Sequence, residues 1–342
     1  MNLAVVSLDI FSPLYIGFGW VMRVLYDFMG NYGLMIIVFT IFLRGIMIPL
    51  GIKQQKSSIK QQSLQGEIAE IQRAHPGDKA KQSELQMALY KKHGASPLSG
   101  CLPSILQLII LLPIFQIFQK PLEFIMNVSA ENLGKIGTLL FNSNLFEAKD
   151  AAEAASKAVA SNIPIINTLS THAGSLADAV NQGLINISQL IDLNFLGMNL
   201  GLTPAWQPAL LFGADTWQTY VPLLIFPVVV LATTMIQLRV TRLTMPFRKK
   251  KAEDKAREKV NPARAGQNPE DKTEGMMKSM NIIMPVIMLW TTFTLPAAMG
   301  LYWIFGNLMS ILQSFLIYFM FTRRLEHARL EQSATEIRAV NT

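Results

Sequence analysis

Three scarcities narrow this chain before any motif is read. It has one cysteine, Cys101, which excludes an internal disulfide framework and any Cys-x-x-Cys metal site. Its four histidines (His75, His93, His172, His327) are scattered, with no pair at i, i+4 spacing. Charge is sparse: 15% of 342 residues are Asp, Glu, Lys or Arg, against 51% hydrophobic, with a mean hydropathy of +0.31. A soluble domain of this length does not tolerate that balance, whereas a polytopic helical membrane protein does. The most telling absence is local: no Asp or Glu lies within the core apolar runs. Proton and cation carriers usually place a carboxylate in the membrane. An intramembrane aspartyl protease needs two, and a zinc protease needs ligand spacing. No Ser–His dyad lies within the runs, and no Gly-rich phosphate loop occurs. Neither catalysis nor a cofactor is supported.

What is present centres on Gly33 to Leu50, GLMIIVFTIFLRGIMIPL, in which only Thr40 and Arg44 are polar. The run is long enough to cross a bilayer as a helix, and at ~1.5 Å per residue Arg44 falls near its middle. Arginine cannot be deprotonated there, and at a helix centre it costs on the order of 2.5–3.5 kcal/mol. A snorkelling anchor near a helix end is the plainer reading, but Gly45 to Ile52 continues apolar before Lys53. The sharper reading is that Arg44 lines a wet intramembrane cavity.

Taken in order, residues 1–30 lack a basic signal region, since the first cation is Arg23. Ser12 to Phe28, opened by Pro13 and rich in aromatics, reads as a helix lying in the membrane interface on the outer side. Residues 31–52 are the first span. Residues 53–97 are polar and read as a helical hairpin that turns at His75-Pro76-Gly77-Asp78, with Asp78 as N-cap. Its eight Lys and Arg against four Asp and Glu place it in the cytoplasm. Residues 98–119 are the second span, loosened by Pro103 and Pro113, with Gln107 its mid-span polar residue. Leu98-Ser99-Gly100-Cys101 matches a lipoprotein box, but it precedes an internal span and is rejected as one.

Residues 120–218 form an extracytoplasmic loop with a helical insertion. Its four lysines (Lys120, Lys135, Lys149, Lys157) face eight acids up to residue 216, the reverse of the first loop. Glu147 to Ala160 reads as an exposed helix, and Leu176 to Leu193 has helical apolar spacing. Residues 219–242 are the third span, with Thr233, Thr234 and Gln237 polar. Residues 243–276 are a basic cytoplasmic loop that sets topology and is suited to anionic lipid or ribosomal RNA, without reading a specific nucleic-acid sequence. Residues 277–296 are a Met-rich fourth span and 300–321 a fifth, carrying Trp303, Asn307 and Gln313. Residues 322–342 are a cytoplasmic tail. The basic loops then share one side, with the N-terminus outside and the C-terminus in the cytoplasm. Arg44, Gln107, Thr233, Gln237, Asn307 and Gln313 together describe a cationic, amide-lined cavity that holds water and attracts an acidic or polar peptide. The same cavity also suits a small-solute transporter or channel, against which stand the missing carboxylates, the odd span count and the lack of an internal repeat.

Several stretches, in order, resemble the YidC-type (YidC/Oxa/Alb) membrane protein insertases. They are IFLRGIMIPLGIKQQKSS, the charged hairpin, GCLPSILQLIILLPIFQIFQKPL, FLGMNLGLTP at Phe195 to Pro204, and LPAAMGLYWIFGNLMSILQ with its GLYW-x3-N-x5-Q pattern at Gly300 to Gln313. The resemblance implies an all-α polytopic fold of five transmembrane helices around a hydrophilic groove, with an interfacial helix and a cytoplasmic hairpin. It implies a non-enzymatic insertase and chaperone. Arg44 would be the groove cation, Gln237 and Trp303 its polar and aromatic wall, and Gln107 and Asn307 their neighbours; Thr233 and Gln313 join the groove from the polar pattern of the spans alone. Implied partners are nascent membrane proteins, the ribosome, the SecYEG translocon, the signal recognition particle pathway and anionic lipid. The implied location is the bacterial plasma membrane, since no transit peptide precedes the first helix. The outer loop, roughly Leu139 to Leu190, is longer than in compact five-span members, and no large β-domain precedes the arginine span. That loop is expected to cap the membrane surface.

Overall fold

The computed structural model describes residues 3–94, 102–244 and 282–323. Those residues are mostly helical, with one two-stranded antiparallel hairpin. Three helical stretches are long and apolar enough to cross a membrane: Tyr32–Gln54, Trp217–Leu243 and Ala297–Met320. Two shorter apolar helices, Ile105–Gln119 and Ile282–Thr292, accompany them. The chain divides into two compact units. The first takes Met1–Leu43, Leu108–Val230 and Met288–Gly306; the second takes Arg44–Gln107, Leu231–Ile287 and Asn307–Thr342.

In the first unit, α1 (Leu3–Met29) is one continuous helix. It starts well before Ser12, because Leu3 to Asp9 is itself helix-forming and Pro13 costs only its own N–H. Tyr15 stacks on Phe124 at 4.8 Å, and a Cβ at Gly19 would collide with the Phe124 carbonyl, so α1 lies tightly against the turn that follows α5. That helix, α5 (Leu102–Gln119), runs through Pro113 unbroken and is followed by α6 (Pro121–Phe124). The part of the second-span expectation at residues 98–101 lies outside the described residues. Tyr32, Phe118 and Tyr302 form a chain of edge-on rings at 6.3 and 6.4 Å within a dry core that includes Met22, Ile36, Ile114 and Leu122.

The outer insertion is built from α7 (Ala130–Asn142), α8 (Ala151–Ala160), α9 (Ile163–Thr171) and α10 (Ala173–Asn181). Two sequence readings are corrected here. The exposed helix read at Glu147 to Ala160 begins only at Ala151, where Asp150 caps it by accepting from the Glu153 N–H. It is not simply exposed: Ala154 and Ala158 are fully buried against Gly137, and Ala155 and Val159 approach Gly134, so that the missing side chains of the two glycines let α7 and α8 touch. Helix α10 ends at Asn181 instead of running on to Leu193, because Gly183 turns the chain at φ +67. Asn162 ties the insertion to the spans. Its Nδ2 donates to the Ala158 carbonyl (3.0 Å), its Oδ1 accepts from the Glu123 N–H (3.1 Å), and its backbone N–H donates to the Gln119 carbonyl (2.9 Å).

Strands β1 (Asn194–Phe195) and β2 (Met198–Asn199) pair in register Asn194 with Asn199 and Phe195 with Met198. Phe195 fills the space left by Gly33. The chain then passes through α11 (Pro208–Phe212) to α12 (Trp217–Leu223). A turn at Leu224 separates α12 from α13 (Ile225–Leu243), since Pro227 has no N–H to give the preceding turn. Thr291 and Thr292 donate to the Met288 and Leu289 carbonyls at the end of α14 (Ile282–Thr292), and Pro296 precedes α15 (Ala297–Ile317). The Ala297 and Ala298 N–H groups donate to the carbonyls of Leu202 and Leu200 at 2.8 and 2.9 Å. Met276, Met277 and Met280 of the Met-rich reading lie outside the described residues.

In the second unit, α2 (Tyr32–Ser63) changes character at Lys53 and continues as a polar stalk. At ~1.5 Å per residue its polar turns extend past the thickness of a bilayer's hydrocarbon. Helices α3 (Gln65–Ala74) and α4 (Lys79–Lys92) fold back on each other around Leu64, Ile68 and Leu89, flanked by Ile71 and Tyr90. Asp78 caps α4 by accepting from the Lys81 N–H at 2.9 Å, and Gly77 supplies the turn at φ +89. Met87 points outward, so the core of this pair is thin.

Candidate functional site

Six of the seven residues singled out from the sequence fall in the second unit: Arg44, Gln107, Thr233, Gln237, Asn307 and Gln313. Trp303 falls in the first, where it is buried.

Arg44 sits on α2 at the point where the second unit begins. It is half-buried, and among the described residues its guanidinium has no hydrogen bond and no ion pair. A guanidinium carries five donors and is always charged. Left half-buried without an acceptor, it demands water or a visiting anion. Next to it, a Cβ on Gly45 would meet nothing within 4 Å, so that flank of the helix is open. About two turns further along, Gly51 admits the amide of Gln313, which lies directly against the space a side chain there would occupy. Gln313 is thereby placed on α2, although its residue belongs to α15.

The second cluster is bonded internally. Asn307 Nδ2 donates to the hydroxyls of Thr233 (3.1 Å) and Thr234 (2.9 Å), and all three side chains are buried. Thr233 and Gln237 are four apart on α13, as Trp303 and Asn307 are on α15, so each pair shares a helix face. The half-buried Gln107 and Gln237 make no side-chain hydrogen bond among the described residues. Sequence reading left Thr234 out of the site. The signal was its adjacency to Thr233, since one amide with two N–H donors can serve two neighbouring hydroxyls. The Gly51–Gln313 contact had no sequence signal, because it depends on which turns of two distant helices coincide.

A shallow cleft of about 880 Å³ lies elsewhere, along α7, α8 and the end of α10. Glu131, Lys135, Thr138, Asn142 and Asp178 line it, and it contains none of the seven residues. Lys135 Nζ donates to Glu131 Oε1 at 2.7 Å, which holds that carboxyl below its usual range. This is a solvated surface on which Lys135 and Glu131 already pair with each other, and Arg44, unpaired among the described residues, is the better candidate. No group of three or more His, Cys, Asp or Glu suited to a metal occurs among the described residues.

A family model described as 60Kd inner membrane protein matches residues 24–324. A protein named Membrane protein insertase YidC from Parabacteroides distasonis is 42% identical over 105 residues, covering 29% of this chain and 17% of that protein. A protein of the same name from Helicobacter pylori is 41% identical over 99 residues, covering 29% and 18%. Another, from Wigglesworthia glossinidia brevipalpis, is 38% identical over 102 residues, covering 30% and 19%. The matched stretch thus spans between 17% and 19% of the length of these curated relatives.

Proposed function

The chain belongs to the 60Kd inner membrane protein family and is a multi-pass membrane protein; from that premise we propose that it is a membrane protein insertase and chaperone. It receives nascent membrane proteins in a cationic hydrophilic groove and releases their apolar segments sideways into the bilayer, alone or with the SecYEG translocon. The observation that carries this reading is Arg44, half-buried in an apolar helix, unpaired among the described residues and beside an open flank at Gly45.

The physical logic is a lowered barrier. A hydrophilic tail entering hydrocarbon loses its hydration. A groove that carries water and a fixed cation partway through the membrane replaces that hydration and shortens the dry path. Gln107, Gln237 and Gln313 offer amides that can hydrogen-bond a passing backbone. Asn307, Thr233 and Thr234 bond to one another and keep α13 and α15 in register behind them. Trp303 supplies the apolar end of the α15 face. No nucleotide is consumed. Burying the new helix in lipid drives release at ~25 cal/mol per Å² of apolar surface, and an acidic tail moving outward gains ~2.3 kcal/mol per charge per 100 mV.

The location is the bacterial plasma membrane, with the N-terminus outside and the C-terminus in the cytoplasm, an orientation supported by the basic 53–97 and 243–276 segments and the acidic outer loop. The ribosome and the signal recognition particle pathway deliver substrates to that basic side, where anionic lipid also binds. The test is insertion of acidic-tailed and uncharged-tailed substrates into liposomes holding the purified protein. Arg44→Ala is expected to impair the acidic-tailed class selectively, with Arg44→Lys retaining much of it. Unchanged insertion of acidic tails by Arg44→Ala would overturn the role of the cation.

A further inference from the structure

The chain has five tryptophans, and four are exposed: Trp20 (67%), Trp206 (67%), Trp217 (47%) and Trp290 (66%). All four lie in the first unit. They stand on four different segments, and each is close to one end of an apolar helix. Trp217 opens the Trp217–Leu243 stretch, and Trp290 is two residues from the end of α14. Trp20 follows Gly19, which packs on Phe124 just beyond the end of α5. Trp206 follows the Leu200–Leu202 strap that is hydrogen-bonded to the start of α15. The opposite ends of the apolar stretches carry Lys53, Lys56, Arg239, Arg242 and Arg323 and no tryptophan.

Two more apolar side chains share this placement. Phe212 is exposed at the end of α11, between Trp206 and Trp217. Leu196 is 81% exposed at the tip of the β1–β2 hairpin with φ +52, a conformation that suits Asn or Gly far better than leucine. A bulky apolar residue held strained at an exposed tip is unexpected in water and natural at an apolar boundary. Tryptophan, with an apolar body and one N–H donor, is the residue that prefers the headgroup level of a bilayer.

We propose that Trp20, Trp206, Trp217 and Trp290, with Leu196 and Phe212, form a lipid-binding belt at the headgroup–acyl boundary of one leaflet. The partner is phospholipid, recognised through the ring bodies by acyl chains and through the indole N–H by headgroup and carbonyl oxygens. The belt holds the 203–217 segment and α1 at the membrane surface, out of bulk water. It fixes the depth at which the first unit sits, independently of any substrate.

The experiment is ¹⁹F NMR on the full chain with 5-fluorotryptophan, in nanodiscs of phosphatidylethanolamine and phosphatidylglycerol. Spectra are compared with lipid spin-labelled near the headgroup and with an aqueous gadolinium chelate. Trp→Phe variants assign the five resonances, and a variant that fails to fold is assigned by elimination from the other four. The expected result is loss of the Trp20, Trp206, Trp217 and Trp290 signals with spin-labelled lipid, their persistence with the chelate, and an unchanged Trp303 signal in both. Loss of Trp20 and Trp206 to the chelate but not to the lipid label would overturn the belt, and so would protection of both from both reagents, which would mean that protein covers them.

Discussion

The two units bury different chemistry. In the first, the interior is a continuous apolar and aromatic mass, and its buried amide, Asn162, has both ends of its side chain bonded. In the second, outside the α3–α4 pair, the buried side chains among the described residues are Thr233, Thr234, Thr244, Asn307, Pro285 and Ile317. A half-buried arginine without a bonded partner among the described residues accompanies them. Such an interior gains little from dehydration, because hydroxyl and amide groups keep their hydrogen bonds in water equally well. The first unit is therefore built to exclude water, the second to live with it. The same helices supply both: α2 leaves Tyr32, Met35, Ile36 and Phe39 buried in one and brings Arg44 to the other.

This contrast can be broken from either side. The largest effect is expected at Arg44. Arg44→Ala should lower insertion of acidic-tailed substrates roughly tenfold or more, the equivalent of about 1.4 kcal/mol. It should leave the thermal midpoint nearly unchanged, because no bonded partner among the described residues is lost and such substitutions stay within about 0.5 kcal/mol. An equal loss of stability and activity would remove the distinction between the units. Gly137→Val should do the reverse. A Cβ there already lies 2.5 Å from Ala158 Cβ and 2.7 Å from the Ala154 carbonyl oxygen. Forcing α7 from α8 should cost ~1–3 kcal/mol, read as a lower midpoint, with insertion at low temperature retained.

Asn307→Ala tests the bonded cluster. It removes the amide that donates to both hydroxyls and should destabilise by ~1–3 kcal/mol; denaturant unfolding in mixed micelles reads this. A neutral result would mean that water replaces the amide, which would extend the wet region to α13 and α15. Tyr32→Phe is a smaller probe of the dry unit. Tyr32 is fully buried, and its hydroxyl has no hydrogen-bond partner among the described residues. Removing it should be neutral or stabilising by up to about 1 kcal/mol, and a clear destabilisation would mean that a bound water satisfies it.

The smallest effect concerns acid. The carboxyl groups of Glu131, beside Lys135, and Glu153, bonded to the Lys149 N–H and near Lys157, both titrate below their ordinary value. A lowered folded-state pKa gives stability that is present above the unfolded value and lost as pH falls through the folded one. The outer insertion should thus loosen slightly only below the usual carboxylate range. Both groups are exposed, so the change should be shallow, and it should vanish in Glu131→Gln/Glu153→Gln.

Much of the fold was legible because membrane helices obey one strong rule, that apolar length is span length. The all-α class followed from that, and the family from motifs in order. Less legible were the places where proline and glycine act through context. Pro13 and Pro113 sit inside helices that continue through them, whereas near Pro227 the chain turns at Leu224. Gly183 ended a helix that apolar spacing alone extended to Leu193. In the candidate site, Arg44 stood out because a charge in an apolar run has a high intrinsic cost. Thr234 and the Gly51–Gln313 contact did not stand out, since their meaning comes only from the helix that meets them.

The central claim is that the polar interior of the second unit is a path for an incoming chain. It is tested most directly by photocrosslinking a stalled, ribosome-bound nascent membrane protein. The probe is placed at Gln237, half-buried on α13, with a control at the exposed Val228 of the same helix. The account predicts a nascent-chain adduct at Gln237 that fades when Arg44→Ala is introduced, with lipid adducts dominating at Val228. Absence of a nascent-chain adduct at Gln237 in folded, membrane-integrated protein would contradict it.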